Sequence, residues 1–198
     1  MAAEIKWLGH AGFRLSDGKI NVYVDPYQTR ETERADIVLV THSHFDHCSE
    51  PDIKKLSTPE TTIIAPPDCM EKIGGAGRFL KIAPGQEIEA SGIKIKALPA
   101  YNVDKNFHPK ANAWVGYLIA IGGEKVYHAG DTDTIPEMTG LDADVVLLPV
   151  GGTYTMTAEE AAMAFSQMQA RRAIPMHYGS IVGDADDAAR FEALAGMR

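Results

Sequence analysis

One buried strand that ends in metal-binding side chains constrains this chain more than any other feature. The apolar run 37–40, Ile-Val-Leu-Val, is followed at once by the segment 41–47, Thr-His-Ser-His-Phe-Asp-His. A continuous run of β-branched residues and leucine predicts a strand that is covered on both faces. Three histidines and an aspartate directly after it indicate a metal site rather than a polar loop with incidental histidines, because this spacing is typical of ligand clusters.

The spacing inside this segment favours two neighbouring ions over one. In an extended backbone alternate side chains share a side, so His42, His44 and Asp46 can converge while the residues between them turn away. His47 is then left to reach a neighbouring point. We therefore expect a dinuclear metal site at the end of this strand.

Length, composition and charge limit the classes of protein that the chain can belong to. With 198 residues, 45% of them hydrophobic, and no stretch typical of a linker, we expect a single domain over 1–198. The formal net charge of -8 opposes broad attraction to nucleic acid or to an anionic membrane surface. No signal-peptide core or membrane-spanning run is evident, and Cys48 and Cys69 form no pairing pattern. We expect a cytoplasmic protein that binds neither nucleic acid nor membrane.

Strands and short helices alternate along the chain. Thr157-Ala-Glu-Glu160 is a capping box that predicts a helix to about Gln169, and a last helix is expected from near Asp184 with Phe191 and Leu194 buried. Further helices are expected at 51–56 and 68–73, and strands at 5–8, 13–15, 20–24, 37–40, 61–65, 87–90, 93–98, 115–121, 125–128, 145–148 and 173–176.

Several of these strands are followed by side chains that can take part in chemistry. The segment His128-Ala-Gly-Asp131 ends one strand, and His177 follows another. If these strand ends lie at one edge of the sheets, then Asp131 and His177 meet the 41–47 segment, although they are far from it in sequence.

The sequences at 41–47, at 129–132 (Ala-Gly-Asp-Thr) and at 175–177 (Pro-Met-His) resemble the signature of the metallo-β-lactamase superfamily. This resemblance implies an α/β (α+β) fold, a four-layer αββα sandwich with a dinuclear metal site at one edge. It implies two divalent ions, with zinc favoured and manganese or iron as alternatives. It also implies the ligands: His42 and His44 on one ion, Asp46, His47 and His177 on the other, and Asp131 bridging both.

Other segments are similar to a small prokaryotic branch of metal-dependent hydrolases that includes the ascorbate-6-phosphate lactonases. They are Gly9-His-Ala11, Asp25-Pro26 and the segment 127–132, Tyr-His-Ala-Gly-Asp-Thr. The iron redox members of the superfamily carry a glutamate where this chain has His44 and depend on a flavin domain, so hydrolysis is the better interpretation.

One position departs from the superfamily pattern. Members usually supply a further histidine to the first ion after a strand in the middle of the chain, and Asn102 stands there. An amide oxygen is a weaker ligand than imidazole, so the first ion would bind less tightly, or manganese or iron would be preferred. His108 could replace Asn102 by folding back, and water or an empty site are the remaining alternatives.

The charge of such a site predicts the type of substrate. Two divalent ions bring about four positive charges, and Asp46, Asp131 and a hydroxide remove about three, so the site attracts a small anionic substrate. A metal-activated hydroxide can attack a carbonyl carbon or a phosphorus. Asp46 is a candidate to orient it, and His10, His108 and His128 are candidates to protonate the leaving group or to support the ligands.

Two functions from different classes follow from these residues. The first is a metal-dependent hydrolase that cleaves a small anionic ester, either a phosphodiester or a lactone or other acyl ester. The second is a metal-binding protein of the same fold with weak or no catalysis, which the substitution at Asn102 supports. A nuclease for structured RNA is disfavoured by the acidic balance. The sequence leaves self-association into a homo-oligomer open.

Overall fold

The computed structural model describes residues 2–196, which form two six-stranded β-sheets and four α-helices. The first sheet contains β1 (Glu4–Gly9), β2 (Gly12–Ser16), β3 (Asn21–Val24), β4 (Ile37–Leu39), β5 (Thr62–Ala65) and β6 (Arg78–Lys81) in that order. The second contains β7 (Glu87–Ala90), β8 (Ile93–Pro99), β9 (Val115–Ile121), β10 (Glu124–His128), β11 (Asp142–Pro149) and β12 (Gln169–Met176), also in chain order. The helices are α1 (Glu50–Leu56), α2 (Met70–Ile73), α3 (Ala158–Ser166) and α4 (Ala185–Leu194).

Each sheet combines an antiparallel part with a parallel part. Strands β1 to β3 are antiparallel, whereas β3 to β6 run parallel. In the second sheet β7 to β10 are antiparallel and β10 to β12 are parallel. Parallel strands end at the same edge of a sheet, so the loops after β3, β4, β10 and β12 emerge together.

The residues of β4 show how the layers are stacked. Ile37 and Leu39 belong to the large core between the two sheets, which also contains Tyr117 and Leu147 of the second sheet. Val38 faces the opposite way, into a second core that α1 and α2 share with the outer face of the first sheet. Helices α3 and α4 cover the outer face of the second sheet. The predicted four-layer αββα sandwich is confirmed.

The capping box before α3 forms as predicted, but the helix is shorter than expected. The Thr157 hydroxyl accepts from the Glu160 amide at 3.2 Å, and the Glu160 carboxylate accepts from the Thr157 amide at 2.8 Å. The helix ends at Ser166 because the chain from Gln169 onward pairs with β11, which makes β12 longer than predicted. Propensity is overridden here by a sheet partner.

Two further differences concern exposed positions. In α4 Phe191 is buried as predicted, whereas Leu194 is 55% exposed, so its predicted burial was wrong. Strand β6 was not predicted, because its Arg-Phe-Leu-Lys sequence is only partly buried and shows no clear alternation. Within residues 2–196 we find no helix that is both long and apolar enough to cross a membrane.

Candidate metal centre

Three strand ends that are distant in sequence meet at one edge of the two sheets. Segment 41–47 follows β4, Asp131 follows β10, and His177 follows β12 directly. The His47 Nε2 lies 3.3 Å from Asp131 Oδ1, and the His177 Nε2 lies 3.0 Å from Asp131 Oδ2. The predicted convergence of Asp131 and His177 on the first histidine segment is therefore observed.

The side chains at this edge form two groups of donor atoms with an aspartate between them. In each group the nearest ligand atoms all lie within 4.8 Å of one another. Asp131 joins the groups, because its carboxylate is near His42 and His47 and lies 3.2 Å from His108 Nε2. The first group comprises His42, His44 and His108, and the second comprises His10, Asp46, His47 and His177.

Hydrogen bonds to Asp25 and Thr41 fix the tautomers of two of these histidines. The Thr41 hydroxyl donates to Asp25 Oδ2 at 2.6 Å, so it accepts from His42 Nδ1 at 2.9 Å. The same carboxylate accepts from His47 Nδ1 at 2.7 Å. In the neutral imidazole Nδ1 then carries the proton, so Nε2 of His42 and of His47 can offer a lone pair to an ion in the cluster. Asp25 thus orients a histidine of the cluster.

His108 reaches the cluster, and Asn102 holds it there. The Asn102 Oδ1 accepts from the His108 amide at 2.8 Å and from His108 Nδ1 at 3.0 Å. Its Nδ2 donates to Asp133 Oδ1 at 3.1 Å and to the Tyr154 carbonyl at 3.0 Å. The amide is fully engaged, and the His108 Nε2 is left with its lone pair facing Asp131. This arrangement favours His108 over Asn102 as the third ligand of the first ion.

His10 and His128, both candidates for proton transfer, lie in different settings. The His10 Nε2 is 2.9 Å from Asp46 Oδ2, and because an ionised carboxylate only accepts, His10 is the donor there. His128 is fully buried, donates from Nε2 to the Ala11 carbonyl at 2.8 Å and accepts the Gly130 amide at Nδ1 at 3.2 Å. Both ring nitrogens of His128 are used by the main chain, which favours a structural role over the predicted catalytic one.

The backbone adopts the left-handed region at three residues of this edge. The φ angles are 50° at His10, 45° at Asp25 and 61° at His177. A residue other than glycine in this region costs on the order of 1 kcal/mol or more, so the surrounding contacts must impose it. The His177 amide donates to the His10 carbonyl at 2.9 Å and ties two of these positions together. Three of the six described non-glycine residues with positive φ thus lie at this edge.

Buried atoms without hydrogen-bond partners show that the cluster fits a cation. Among residues 2–196, the His47 Nε2, the His108 Nε2 and the Asp131 Oδ1 are buried and form no hydrogen bond. Burying polar atoms without a partner costs free energy unless another group, such as a bound ion, interacts with them. Ligand atoms around a tetrahedral zinc ion, each about 2.0 to 2.1 Å from it, lie about 3.3 Å apart. The separations of 3.0 to 3.3 Å between Asp131 and His47, His108 and His177 match this distance. The His42 Nε2 lies farther away, 3.9 Å from Asp131 Oδ2.

The electrostatics of the cluster also suit a cation. Burial raises the pKa of Asp131, yet the adjacent His177 and His47 outweigh it and hold the pKa well below its ordinary value. Burial lowers the pKa of His47, but Asp131 and Asp25 outweigh it and raise the pKa well above the ordinary range. The pKa of His42 is lowered well below its usual value, mainly by burial. A metal ion would replace the positive charge that the carboxylates stabilise on His47.

A cavity of about 250 Å³ opens above the cluster. Its floor is formed by side chains of both donor groups and by Asp131, and its walls by aromatic and aliphatic residues. Liquid water takes about 30 Å³ per molecule, so the cavity has room for about eight water molecules or a small organic group.

Sequence reasoning missed Trp114, which supports the first donor group. Its ring centroid lies 4.9 Å from that of His42 and 4.8 Å from that of His44, and its Nε1 donates to Asp68 Oδ2 at 2.8 Å. Trp114 has no ligand near it in sequence, so only the fold brings it to the site. The role of the Thr41 hydroxyl between Asp25 and His42 was also missed, although Thr41 is part of the segment that drew attention.

Comparison with known proteins agrees with the fold and with a metal-dependent hydrolase. A UPF0173 metal-dependent hydrolase of Thermoplasma acidophilum is 37% identical over 98% of this chain and 91% of its own. A crystal structure described as a metal-dependent hydrolase from Parabacteroides distasonis is 31% identical, covers 97% of this chain and 87% of its own, and has a TM-score of 0.85. Igni18, a metallo hydrolase from Ignicoccus hospitalis, is 25% identical over 100% of this chain and 93% of its own, with a TM-score of 0.77.

A family model, described as a beta-lactamase superfamily domain, matches residues 4–177. The matched range contains both donor groups and Asp131, and its end coincides with His177. These relatives do not single out the ascorbate-6-phosphate lactonases, so that narrower resemblance stays a prediction. The fold, the donor cluster and the full-length relatives together show that this chain belongs to the metallo-β-lactamase superfamily and, within it, to the metal-dependent hydrolases.

Proposed function

We propose that the protein binds two divalent ions, with zinc as the preferred metal. We further propose that it hydrolyses a small ester that carries no more than one negative charge. The observation that carries this proposal is the set of buried ligand atoms without hydrogen-bond partners, two of which belong to His108 and Asp131 at the floor of the cavity. Two such ions lower the pKa of water and stabilise negative charge that develops on oxygen. The proposed ligands are His42, His44 and His108 for the first ion, Asp46, His47 and His177 for the second, and Asp131 for both.

The chain's own residues prepare the site for hydrolysis. Asp25 and Asn102 hold ligand histidines in the tautomer that leaves Nε2 free, so little reorganisation is needed when an ion binds. His10 fixes Asp46 through the 2.9 Å hydrogen bond from Nε2, and Asp46 lines the cavity floor. Asp46 is thereby placed to orient the attacking water and to receive its proton. His10 acts as a positioning residue for Asp46.

The alternative function, metal binding with little catalysis, loses its original support. It rested on a poor ligand, Asn102, in the first site, whereas the geometry offers His108 Nε2 at that place. Three imidazoles are a normal set for a catalytic ion. The cytoplasmic location and the absence of nucleic-acid and membrane partners stay predictions from the sequence, and self-association into a homo-oligomer stays open.

Metal-reconstituted protein tests the proposal. The chain is loaded with zinc, manganese or iron, metal content is measured, and turnover is followed on a panel of acyl esters, lactones and phosphodiesters. We expect two ions per chain and turnover that is lost in Asp131→Asn, while Asp144→Asn, a change at a carboxylate paired with Arg171 away from the site, keeps it. Two bound ions without turnover of any substrate would favour the alternative function.

A further inference from the structure

The walls of the cavity above the cluster are apolar and carry no cation. Four of its lining residues, Phe45, Phe107, Tyr154 and Ile181, are aromatic or aliphatic, and the others are the metal-binding side chains. Within residues 2–196, no lysine or arginine lines this cavity. Whatever part of the substrate extends beyond the ions therefore meets a hydrophobic surface.

Three of these side chains are exposed to an extent unusual for large apolar residues. Phe45 is 65% exposed, Phe107 is 46% exposed and Ile181 is 39% exposed. Phe107 packs edge-to-face on Tyr154 with 4.8 Å between ring centroids, and Phe45 packs in the same manner on Tyr27 at 6.0 Å. Exposed apolar side chains grouped around one opening mark a binding surface.

The lysine side chains around this edge form hydrogen bonds and ion pairs with other groups. Lys105 lies 2.7 Å from Asp133 Oδ1, Lys110 lies 3.1 Å from Glu137 Oε1, and Lys72 donates to the Ser43 carbonyl. With Asp46 and Asp131 as ligands, two divalent ions leave about one positive charge at the site after an anionic nucleophile is counted. One negative charge can be met, but the phosphate monoester dianion that hydrolysis of a phosphodiester releases would find no second countercharge on the protein.

We infer that the substrate is a carbonyl ester, open-chain or lactone, whose acyl part is an uncharged apolar chain or ring that packs on Phe107 and Ile181. This inference rests on the proposed function. Hydrolysis adds the oxygen of water to the carbonyl carbon, breaks the bond from this carbon to the ester oxygen, and moves one proton from water to that oxygen. The second proton is released to the solvent, which leaves the acid product as a carboxylate. The reaction needs no other reactant, and its carboxylate product carries one charge, which the site can meet.

Binding of product-like carboxylates tests the inference without turnover. Acetate, butyrate, hexanoate and octanoate are titrated into the zinc-loaded protein by calorimetry. Each buried methylene is expected to tighten binding up to about fourfold, so hexanoate should bind at least tenfold more tightly than acetate. The heat capacity of binding should become more negative along the series. Inorganic phosphate should bind no more tightly than acetate.

Variants of the wall separate the apolar contact from the metals. Phe107→Ala and Ile181→Ala should each reduce the ratio of hexanoate to acetate affinity at least threefold at unchanged metal content. Leu194→Ala changes an exposed apolar residue on α4 and should leave this ratio unaltered. An affinity that does not rise with chain length, or phosphate binding tighter than hexanoate, would overturn the inference. Rising affinity without turnover of any ester would instead contradict the proposed function and leave the apolar surface standing.

Discussion

Replacing Asn102 by alanine separates the two interpretations of the first metal site. In the structure the Asn102 Oδ1 accepts from the amide and from the Nδ1 of His108, and in the proposed site His108 completes the ligand set in place of Asn102. If this is correct, Asn102→Ala weakens binding of the first ion but does not abolish it. His108→Ala, in contrast, removes a ligand and should leave one ion per chain.

The size of the effect follows from the hydrogen bonds that are lost. Alanine at 102 leaves the His108 amide, the His108 Nδ1 and the Tyr154 carbonyl without their partner in a buried place. Each unsatisfied group costs about 1 to 3 kcal/mol, part of which water entering the gap can recover. Residues that orient a metal-binding histidine are typically worth ten- to a hundredfold in affinity, or about 1.4 to 2.7 kcal/mol. We expect a loss in this range for the first ion.

Competition with a chromogenic chelator measures both affinity and stoichiometry. Asn102→Ala should still bind two ions at saturating zinc, with one affinity reduced ten- to a hundredfold. Asn112→Ala, an exposed asparagine in the same loop region, serves as the matched control and should behave as the unchanged protein. One ion per chain in Asn102→Ala would make Asn102 a direct ligand, and an unaltered affinity would remove it from the site altogether.

Three further predictions concern stability and turnover. Each ion at a hundred times its Kd adds about 2.7 kcal/mol to the free energy of unfolding, so EDTA should lower the Tm of the zinc-loaded protein by about 10 to 20 °C. A shift below about 3 °C, measured by calorimetry, would argue against two tight sites. Gly130→Ala forces φ of +66° on alanine and places its Cβ 2.8 Å from the Val115 carbonyl oxygen, so the Tm should fall by about 4 to 8 °C. The control is Gly123→Ala, where φ is +77° but no atom lies within 4 Å of the added Cβ, and its Tm should fall much less. Equal drops in the two variants would refute the steric argument. His10→Phe removes the donor to Asp46 and should lower kcat at least tenfold with two ions still bound, whereas normal kcat would exclude the positioning role.

The main part of the site could be predicted because it depends on rules that act locally. A run buried on both faces predicts β4, and ligands directly after it must lie at the carboxyl edge of the sheet. The same rule applies to Asp131 and His177, since β10 and β12 belong to the parallel part of the second sheet. Strand ends therefore bring these residues together whatever the details of the loops.

The choice between Asn102 and His108 could not be made from the sequence, because a loop decides it. The Asn102 amide donates to the His108 carbonyl at 2.8 Å, and the His108 amide donates back to Asn102 Oδ1 at 2.8 Å. These two bonds fold the chain so that a residue six positions later reaches the cluster. No periodicity or spacing in the sequence reports such a closure.

His128 shows the opposite limit of the same reasoning. It ends β10 and lies three residues before Asp131, so its place in the sequence resembles that of a site residue. The orientation of its ring is set by the packing of the two sheets against each other, which brings the Ala11 carbonyl oxygen to 2.8 Å from Nε2. This partner comes from the turn between β1 and β2, which is a property of the tertiary structure that proximity in sequence does not report.

Anomalous diffraction at the zinc edge from crystals of the zinc-loaded protein tests the central claim most directly. Two peaks per chain are expected on either side of Asp131, one within about 2.0 to 2.3 Å of donors from His42, His44 and His108, the other at the same distance from donors of Asp46, His47 and His177. A map without a peak at coordinating distance from these side chains would contradict the account.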